Sequence, residues 1–267
     1  MKDNSLSAID WERLASFLGA QDVRTPSSYL ESMERWEKTL PNRMQETLEK
    51  SVRKLEEIKS RGETIQQSST SDNPLFKNTL KIQIHPSSEP DKEQGYIKAE
   101  VVTGRAFWLE CQNLFLTKTV KVLQAHKWSI VRPAKGSQWF TSDHPVVKLN
   151  YYKDDNYNLK GGWGNKGANI FMPISPRHLL FTQIGDEFPD RFTLTTEQTR
   201  KFQSFIAERS FRSIFAREPL KIINKLRPRN IDPEAFNHEL ELWKKWHEQQ
   251  SQAENKATDP PLESDKG

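Results

Sequence analysis

The residues with the most obvious chemical potential lie in one short stretch, residues 141–145, with the sequence Thr-Ser-Asp-His-Pro. A carboxylate here could act as a metal ligand or a general base, and the imidazole beside it could orient a substrate. We therefore predict Asp143 as a catalytic residue. We expect Thr141, Ser142 and His144 to bind the ligand. A second interpretation stays open, because an Asp that follows a strand commonly caps the local backbone.

An earlier polar stretch, residues 21–26, has the sequence Gln-Asp-Val-Arg-Thr-Pro. Here Arg24 could hold an anion and Gln21 could orient it. An arginine near a carboxylate suits a phosphate group, either directly or through a metal ion. We predict a polar site around Arg24 and Asp143 that binds or hydrolyses a phosphate-bearing ligand, nucleic acid or nucleotide, with a divalent metal ion as a candidate cofactor. Alternatively, Arg24 and Asp143 form a structural ion pair.

Other catalytic arrangements are poorly matched by the sequence. Ser142, Asp143 and His144 are not expected to form a catalytic triad. Adjacent residues of a strand point to alternate sides, whereas the side chains of a triad converge on one point. Cys111 is the single cysteine, which excludes an intramolecular disulfide and a multi-thiolate zinc site. The histidines are scattered without a metal-binding motif. The sequence leaves open whether the protein is an enzyme.

Composition limits the classes of partner. The 267 residues include 40 basic and 36 acidic ones, so the net charge of +4 permits contact with nucleic acid but reflects mostly mixed charge. The apolar runs are far shorter than the roughly 20 residues of a membrane-spanning helix. The first residues lack the features of a secretory or transit signal. We expect a cytoplasmic protein with no membrane contact.

Apolar periodicity predicts an α+β fold. Apolar residues recur at helical spacing over residues 29–61, 99–125 and 195–210, and the first of these segments is long and heavily charged. Short apolar or alternating runs predict strands over residues 80–84, 127–131, 138–141, 146–149, 169–173 and 179–184. We predict a small, mainly antiparallel sheet packed by several helices, in which residues 127–131 and 138–141 form a hairpin.

The same patterns predict the domain organisation. Apolar residues are spread over residues 9–248, and we expect this range to form a single α+β domain. From residue 249 the composition shifts to Ser, Gln, Asp, Pro and Lys. This shift predicts a disordered tail over residues 249–267.

An interaction module is the alternative function. The charged helix over residues 29–61 and a basic, tryptophan-bearing C-terminal segment would then bind a protein partner. In that case the polar stretches around Arg24 and Asp143 hold the fold together rather than a ligand. Burial separates the two hypotheses, since a ligand site requires both residues to be exposed in one cleft.

Three motifs, taken in order, resemble a known family. They are Gln-x-x-Arg-Thr-Pro at residues 21–26, Trp-Phe-Thr-Ser-Asp-His-Pro-Val at 139–146 and Pro-Ile-Ser-Pro at 173–176. Their order and spacing are similar to those of the domain of unknown function 4238, a mostly bacterial and uncharacterised family, over about residues 11–216. The resemblance supplies no reaction.

The resemblance also implies a difference from the family. Family members usually begin with a His-(Tyr or Phe)-Val-Pro-Gln segment, and nothing similar occurs before Trp11. If that segment normally covers the first helix, Trp11, Phe17 and Leu18 should be more exposed than their apolar character favours. We expect either a late start of this chain or a lineage without the segment.

Overall fold

The computed structural model describes residues 5–62, 80–85, 96–101, 104–228 and 230–258. The chain divides into two compact units, Met1–Ser32 with Gln112–Ile231 and Met33–Cys111 with Asp232–Gly267. The single domain expected over residues 9–248 stays a prediction.

The described residues form helices and strands in mixed order. The helices are α1 (Ala8–Val23), α2 (Pro26–Ser60), α3 (Arg105–Leu114), α4 (Val120–Gln124), α5 (Thr196–Arg209), α6 (Lys221–Leu226) and α7 (Pro233–Thr258). The strands are β1 (Leu80–His85), β2 (Tyr96–Val101), β3 (Ser129–Arg132), β4 (Thr141–Ser142), β5 (Val147–Lys153), β6 (Asn156–Asn158), β7 (Asn169–Ser175), β8 (His178–Gln183), β9 (Arg191–Thr193) and β10 (Ile214–Phe215). A π-helical turn, Phe115–Thr119, connects α3 to α4.

A six-stranded sheet forms the centre of the first unit. Its strand order is β6-β5-β7-β8-β3-β9, and every neighbouring pair is antiparallel except β3 and β9. The predicted α+β class with a mainly antiparallel sheet is therefore confirmed.

Each face of this sheet carries its own apolar cluster. On one face, Phe205 and Ile206 of α5 pack against sheet residues that include Phe171 and Phe181. On the other face, Leu18 of α1 packs in a second apolar cluster with the sheet residues whose side chains point to that face. Consecutive strand residues such as Ile170 and Phe171 contribute to opposite clusters, because successive side chains of a strand alternate between faces. The first unit is thus a sheet packed by helices on both faces.

The start of α5 is a capping box. Thr195 accepts a hydrogen bond from the backbone N–H of Gln198, and the Gln198 side chain accepts one from the backbone N–H of Thr195. This capping box satisfies donors that have no partner within the helix. It defines the residue at which α5 begins.

Two predicted elements differ from the structure. The hairpin of residues 127–131 and 138–141 does not form, because β3 pairs with β8 and β9 while β4 pairs with β10. The helix expected over residues 99–125 begins at Arg105, since residues 96–101 form a strand that pairs with β1. Apolar periodicity alone did not show which strands pair with each other or where the helix begins.

The second unit contains β1, β2, most of α2 and all of α7. The carboxylate of Glu254 accepts a hydrogen bond from the backbone N–H of Phe107 at 2.9 Å. This bond satisfies a donor in the first turn of α3. A Cβ atom on Gly104 would overlap the Glu254 carboxylate, so this approach requires glycine. Helix α7 continues to Thr258. Residues 249–258 are therefore helical rather than part of the predicted disordered tail, and residues 259–267 lie outside the described residues.

The long charged helix agrees with the prediction for residues 29–61, since α2 spans Pro26–Ser60 with Pro41 inside it. Pairs one helical turn apart, such as Glu34 and Lys38 at 2.5 Å, neutralise part of its surface charge. None of the helices in the described ranges is long and apolar enough to cross a membrane.

The expected exposure of α1 is only partly observed. Phe17 is 50% exposed, whereas Trp11 is half-buried and Leu18 is completely buried. The expectation for Leu18 is therefore wrong, because this side chain lies inside the apolar cluster that covers the sheet.

Candidate functional site

Asp143 directly follows β4, and its carboxylate is bound by backbone N–H groups. Oδ1 accepts from Phe211 at 2.9 Å, while Oδ2 accepts from Arg212 at 2.7 Å and from Ser213 at 3.1 Å. The backbone N–H of Asp143 in turn donates to the carbonyl of Ser213 at 3.1 Å. Both carboxylate oxygens thus hold the chain where it approaches β10. This geometry corresponds to backbone capping, and a catalytic role for Asp143 stays a prediction.

Arg24 does not form an ion pair with Asp143 in the described part of the chain. Arg24 caps the end of α1 through its backbone N–H, which donates to the carbonyl of Ala20, and its side chain is exposed. Gln21 is buried near the same helix end. Among the residues that the structure describes, no salt bridge joins Arg24 to Asp143. The alternative of a structural ion pair between these two residues is therefore wrong.

The hydroxyl residues of the same stretch have local partners. The Ser142 Oγ accepts the backbone N–H of His144 at 3.2 Å. Thr141 is half-buried and pairs in register with Phe215. Their predicted role in ligand binding stays a prediction, and Thr141 lies beside a phenylalanine that is exposed to solvent.

His144 points into the protein and is 2% exposed. Its Nε2 lies 2.9 Å from a terminal nitrogen of Arg209. Because a guanidinium only donates, Nε2 is the acceptor and the neutral ring carries its proton on Nδ1. Burial and the positive charge of Arg209 lower the pKa of His144 to about 4. His144 is therefore neutral at neutral pH.

Four charged residues complete a cluster around His144, and we name it the buried charge cluster after its buried members Asp22 and His144, whereas Glu31 at its edge is 46% exposed. Arg209 forms a two-point salt bridge with Glu31, with N···O distances of 2.6 and 2.9 Å. Asp22 accepts hydrogen bonds through Oδ2 from Lys148 at 2.7 Å and from Trp163 at 2.9 Å. The charges of Glu31, Asp22 and Lys148 all act on the His144 pKa. The cluster contains two acids and two bases, so its charge is balanced.

The roles of Glu31, Lys148 and Arg209 were not predicted from the sequence, although Asp22 lies within the Gln-x-x-Arg-Thr-Pro motif. Asp22, a charged residue on the buried side of α1, was the available signal for this cluster, because a buried charge requires a partner. The partners come from α2, β5 and α5. Only the tertiary fold brings them together.

A basic segment, residues 211–227, begins at the backbone that Asp143 holds. It contains five basic residues and one acidic residue: Arg212, Arg217, Lys221, Lys225, Arg227 and Glu218. Phe211 and Phe215 are 37% and 56% exposed. The Arg212 guanidinium lies 5.1 Å from the centre of the Phe211 ring. The segment thus combines positive charge with exposed aromatic rings.

Arg227 holds the far end of the basic segment against its beginning. One terminal nitrogen donates to the carbonyl of Ala207 at 3.2 Å and also contacts the carbonyl and hydroxyl of Ser210. The other donates to the carbonyl of Phe211 at 2.9 Å. Asp143 and Arg227 therefore tie the segment to the fold at both ends.

Metal binding has no ready site in this part of the molecule. Within the described ranges, no group of three or more His, Cys, Asp or Glu side chains could hold a metal ion. A divalent metal cofactor stays a prediction.

Comparison with known proteins places the chain in a family. No curated protein and no solved structure matches it. A family model described as "Protein of unknown function (DUF4238)" matches residues 1–219, which is well over half of the chain. This range includes the three motifs at residues 21–26, 139–146 and 173–176. The chain therefore belongs to the DUF4238 family of proteins of unknown function.

Proposed function

We propose that this protein binds single-stranded nucleic acid through the basic segment of residues 211–227. The observation that carries the proposal is the clamp formed by Asp143, whose carboxylate accepts three backbone N–H groups at the start of the segment. A segment held in this way presents its side chains in a fixed arrangement. Less conformational entropy is then lost when a ligand binds.

The charge of the segment fits a phosphate backbone. Arg212, Arg217, Lys221 and Lys225 are all exposed, and their positive charges can replace the counterions that surround nucleic acid phosphates. The whole chain has a net charge of only +4. The segment alone has a net charge of +4, so the basic and acidic residues outside it are equal in number.

The aromatic residues favour a single strand over a duplex. Phe215 is 56% exposed and lies next to Thr141 in the two-stranded pairing of β10 with β4. Unpaired bases stack on such rings, and each stacked base contributes roughly 1–3 kcal/mol. Phe211 offers a second ring at the start of the same segment.

Binding is favoured over hydrolysis at this site. The carboxylate of Asp143 accepts three backbone hydrogen bonds, which use three of its roughly four lone-pair sites. A general base needs a lone pair within reach of the attacking water. Asp143 therefore acts in our proposal as a positioning residue.

Fluorescence anisotropy with a labelled single-stranded oligonucleotide of about 16 nucleotides tests this proposal. We expect Lys221→Glu/Lys225→Glu to weaken binding by about ten-fold or more, because two phosphate contacts become repulsive. The matched control is Lys244→Glu/Lys245→Glu, which makes the same charge change at exposed residues of α7. Equal weakening by both pairs, or no binding by the wild type, would overturn the proposal.

An interaction module is the second candidate. It is favoured by two leucines of α7, Leu240 and Leu242, which are 53% and 54% exposed, since exposed apolar side chains often mark protein contacts. Quantitative affinity capture with wild type and Leu240→Glu/Leu242→Glu distinguishes the candidates. A partner lost by this variant while oligonucleotide affinity is unchanged would favour the module.

A further inference from the structure

The pairing of β4 with β10 has one face toward the apolar core and one face away from it. Ser142 pairs with Ile214, and Thr141 pairs with Phe215. Ser142 is buried, and Ile214 packs against the apolar cluster on the α5 side of the sheet. Directly opposite residues of an antiparallel pair share a face, and successive residues alternate between faces. Thr141 and Phe215 therefore share the outward face.

This register places the side chain of Thr141 beside the Phe215 ring. The Cβ atoms of directly opposite residues are roughly 4.5–5.5 Å apart, and the ring is 56% exposed. In the part of the chain that the structure describes, the hydroxyl of the half-buried Thr141 has no hydrogen-bond partner. A β-branched side chain is restricted at χ1. Thr141 thus brings a hydroxyl group close to the ring, and little side-chain entropy is lost when this group binds.

The backbone next to this pair is fixed by Asp143 and Ser213. The backbone N–H of Asp143 donates to the carbonyl of Ser213 at 3.1 Å, and the Asp143 carboxylate accepts the backbone N–H of Ser213 at 3.1 Å. These two bonds extend the register of β4 and β10 by one residue. The threonine hydroxyl and the phenylalanine ring therefore form one rigid unit.

We propose that Thr141 hydrogen-bonds the ribose 2′-hydroxyl of a nucleotide whose base stacks on Phe215, so that the basic segment prefers RNA over DNA. This inference rests on the proposed function. A sugar is joined to the edge of its base, so a base stacked on a ring places its sugar beside that ring. The 2′-hydroxyl donates and accepts hydrogen bonds, as the threonine hydroxyl does, and DNA lacks it. Stacking on the ring alone would not separate the two strands.

Fluorescence anisotropy with oligouridine and oligodeoxyuridine of about 16 nucleotides tests this proposal. The two strands differ only at the 2′ position of the sugar. We expect the wild type to bind oligouridine roughly three- to ten-fold more tightly, which is the effect of one hydrogen bond between neutral groups. Thr141→Val removes the hydroxyl and keeps the shape of the side chain. This variant should bind both strands with the affinity that the wild type has for oligodeoxyuridine.

Two further variants serve as controls. Thr141→Ser retains the hydroxyl and should retain the preference for oligouridine. Thr193→Val makes the valine change at an exposed position of β9 and should also retain it. If Thr141→Val does not fold, Thr141→Ala replaces it with the same expected result.

The outcomes separate this inference from the function on which it rests. Equal or tighter binding of oligodeoxyuridine by the wild type would overturn the RNA preference alone. An equal loss of affinity for both strands in Thr141→Val would also overturn it, because the hydroxyl would then have only a structural role. A wild type that binds neither strand would overturn the proposed function together with this inference.

Discussion

Asp143 and His144 are neighbours in one motif, yet they serve two different regions. Asp143 is half-buried, and its carboxylate accepts hydrogen bonds from three backbone N–H groups of the basic segment. His144 faces the interior, where burial and Arg209 keep it neutral. Successive residues of an extended chain point to opposite sides. A single short motif can therefore connect a surface segment to a buried cluster.

The two regions should also differ in what they contribute. The buried charge cluster joins α1, α2, β5 and α5 and serves the stability of the first unit. The Asp143 clamp serves the arrangement of an exposed segment. Changes in the cluster should therefore reduce stability most, and changes around the clamp should mainly reduce binding.

The largest loss of stability is expected from Lys148→Met. This change leaves the carboxylate of Asp22 buried without its cationic partner, and the loss of one partner of a buried pair costs about 3–5 kcal/mol. Urea unfolding measures the free energy. Lys160→Met, at an exposed position, should change it by less than about 0.5 kcal/mol. Similar values for both variants would show that the cluster is not a stabilising centre.

A somewhat smaller loss of stability is expected when the pH is lowered. The pKa of His144 is lowered from 6.5 to about 4 in the folded state, so the unfolded chain binds its proton first as the pH falls. The stability linked to His144 is complete above pH 6.5 and decreases by up to about 3 kcal/mol as the pH falls to 4. His144→Gln should lack this part of the pH dependence in urea unfolding. Parallel pH profiles would contradict the assignment.

Asp143→Asn should lower the free energy of unfolding by less, about 2 kcal/mol, because charged hydrogen bonds at a partly exposed site are replaced by neutral ones. Thermal and urea unfolding measure the change. The control is Asp155→Asn, where a φ of 61° suits asparagine equally well. If both variants have the same stability, the backbone bonds to Asp143 contribute little.

Phe215→Ala should have the smallest effect, and it should appear in binding rather than in stability. The ring is 56% exposed, and the loss of one stacking surface costs about 1 kcal/mol, or roughly five-fold in Kd. Anisotropy titration measures this change. Phe17→Ala removes a ring of similar exposure from α1 and should leave the Kd unchanged. Equal Kd values for Phe215→Ala and wild type would exclude stacking at this position.

Local signals in the sequence predicted much of the fold. Steps of three and four between apolar residues identified α2 and α5. These features depend on residues close together in the chain. The pairing of β4 with β10 joins segments about 70 residues apart, and no local pattern encodes that choice. The predicted hairpin was wrong for this reason.

The candidate site was only partly predictable for the same physical reason. The motif around Asp143 stood out by its residue types, but its backbone partners at residues 211–213 have no side-chain signature. Arg209 resembles any charged residue near a helix end until Glu31 and His144 are known to surround it. Tertiary contacts therefore decide whether a polar residue clamps the backbone or joins a buried cluster.

The affinity of Asp143→Asn for a single-stranded oligonucleotide shows whether the Asp143 clamp supports binding. This variant removes a negative charge, so simple electrostatics would strengthen binding. We expect weaker binding instead, by about five-fold or more at low salt, since the basic segment loses its clamp and more conformational entropy is lost on binding. Circular dichroism should confirm that the variant is folded. A folded variant with affinity equal to or higher than that of the wild type would show that the clamp does not support binding.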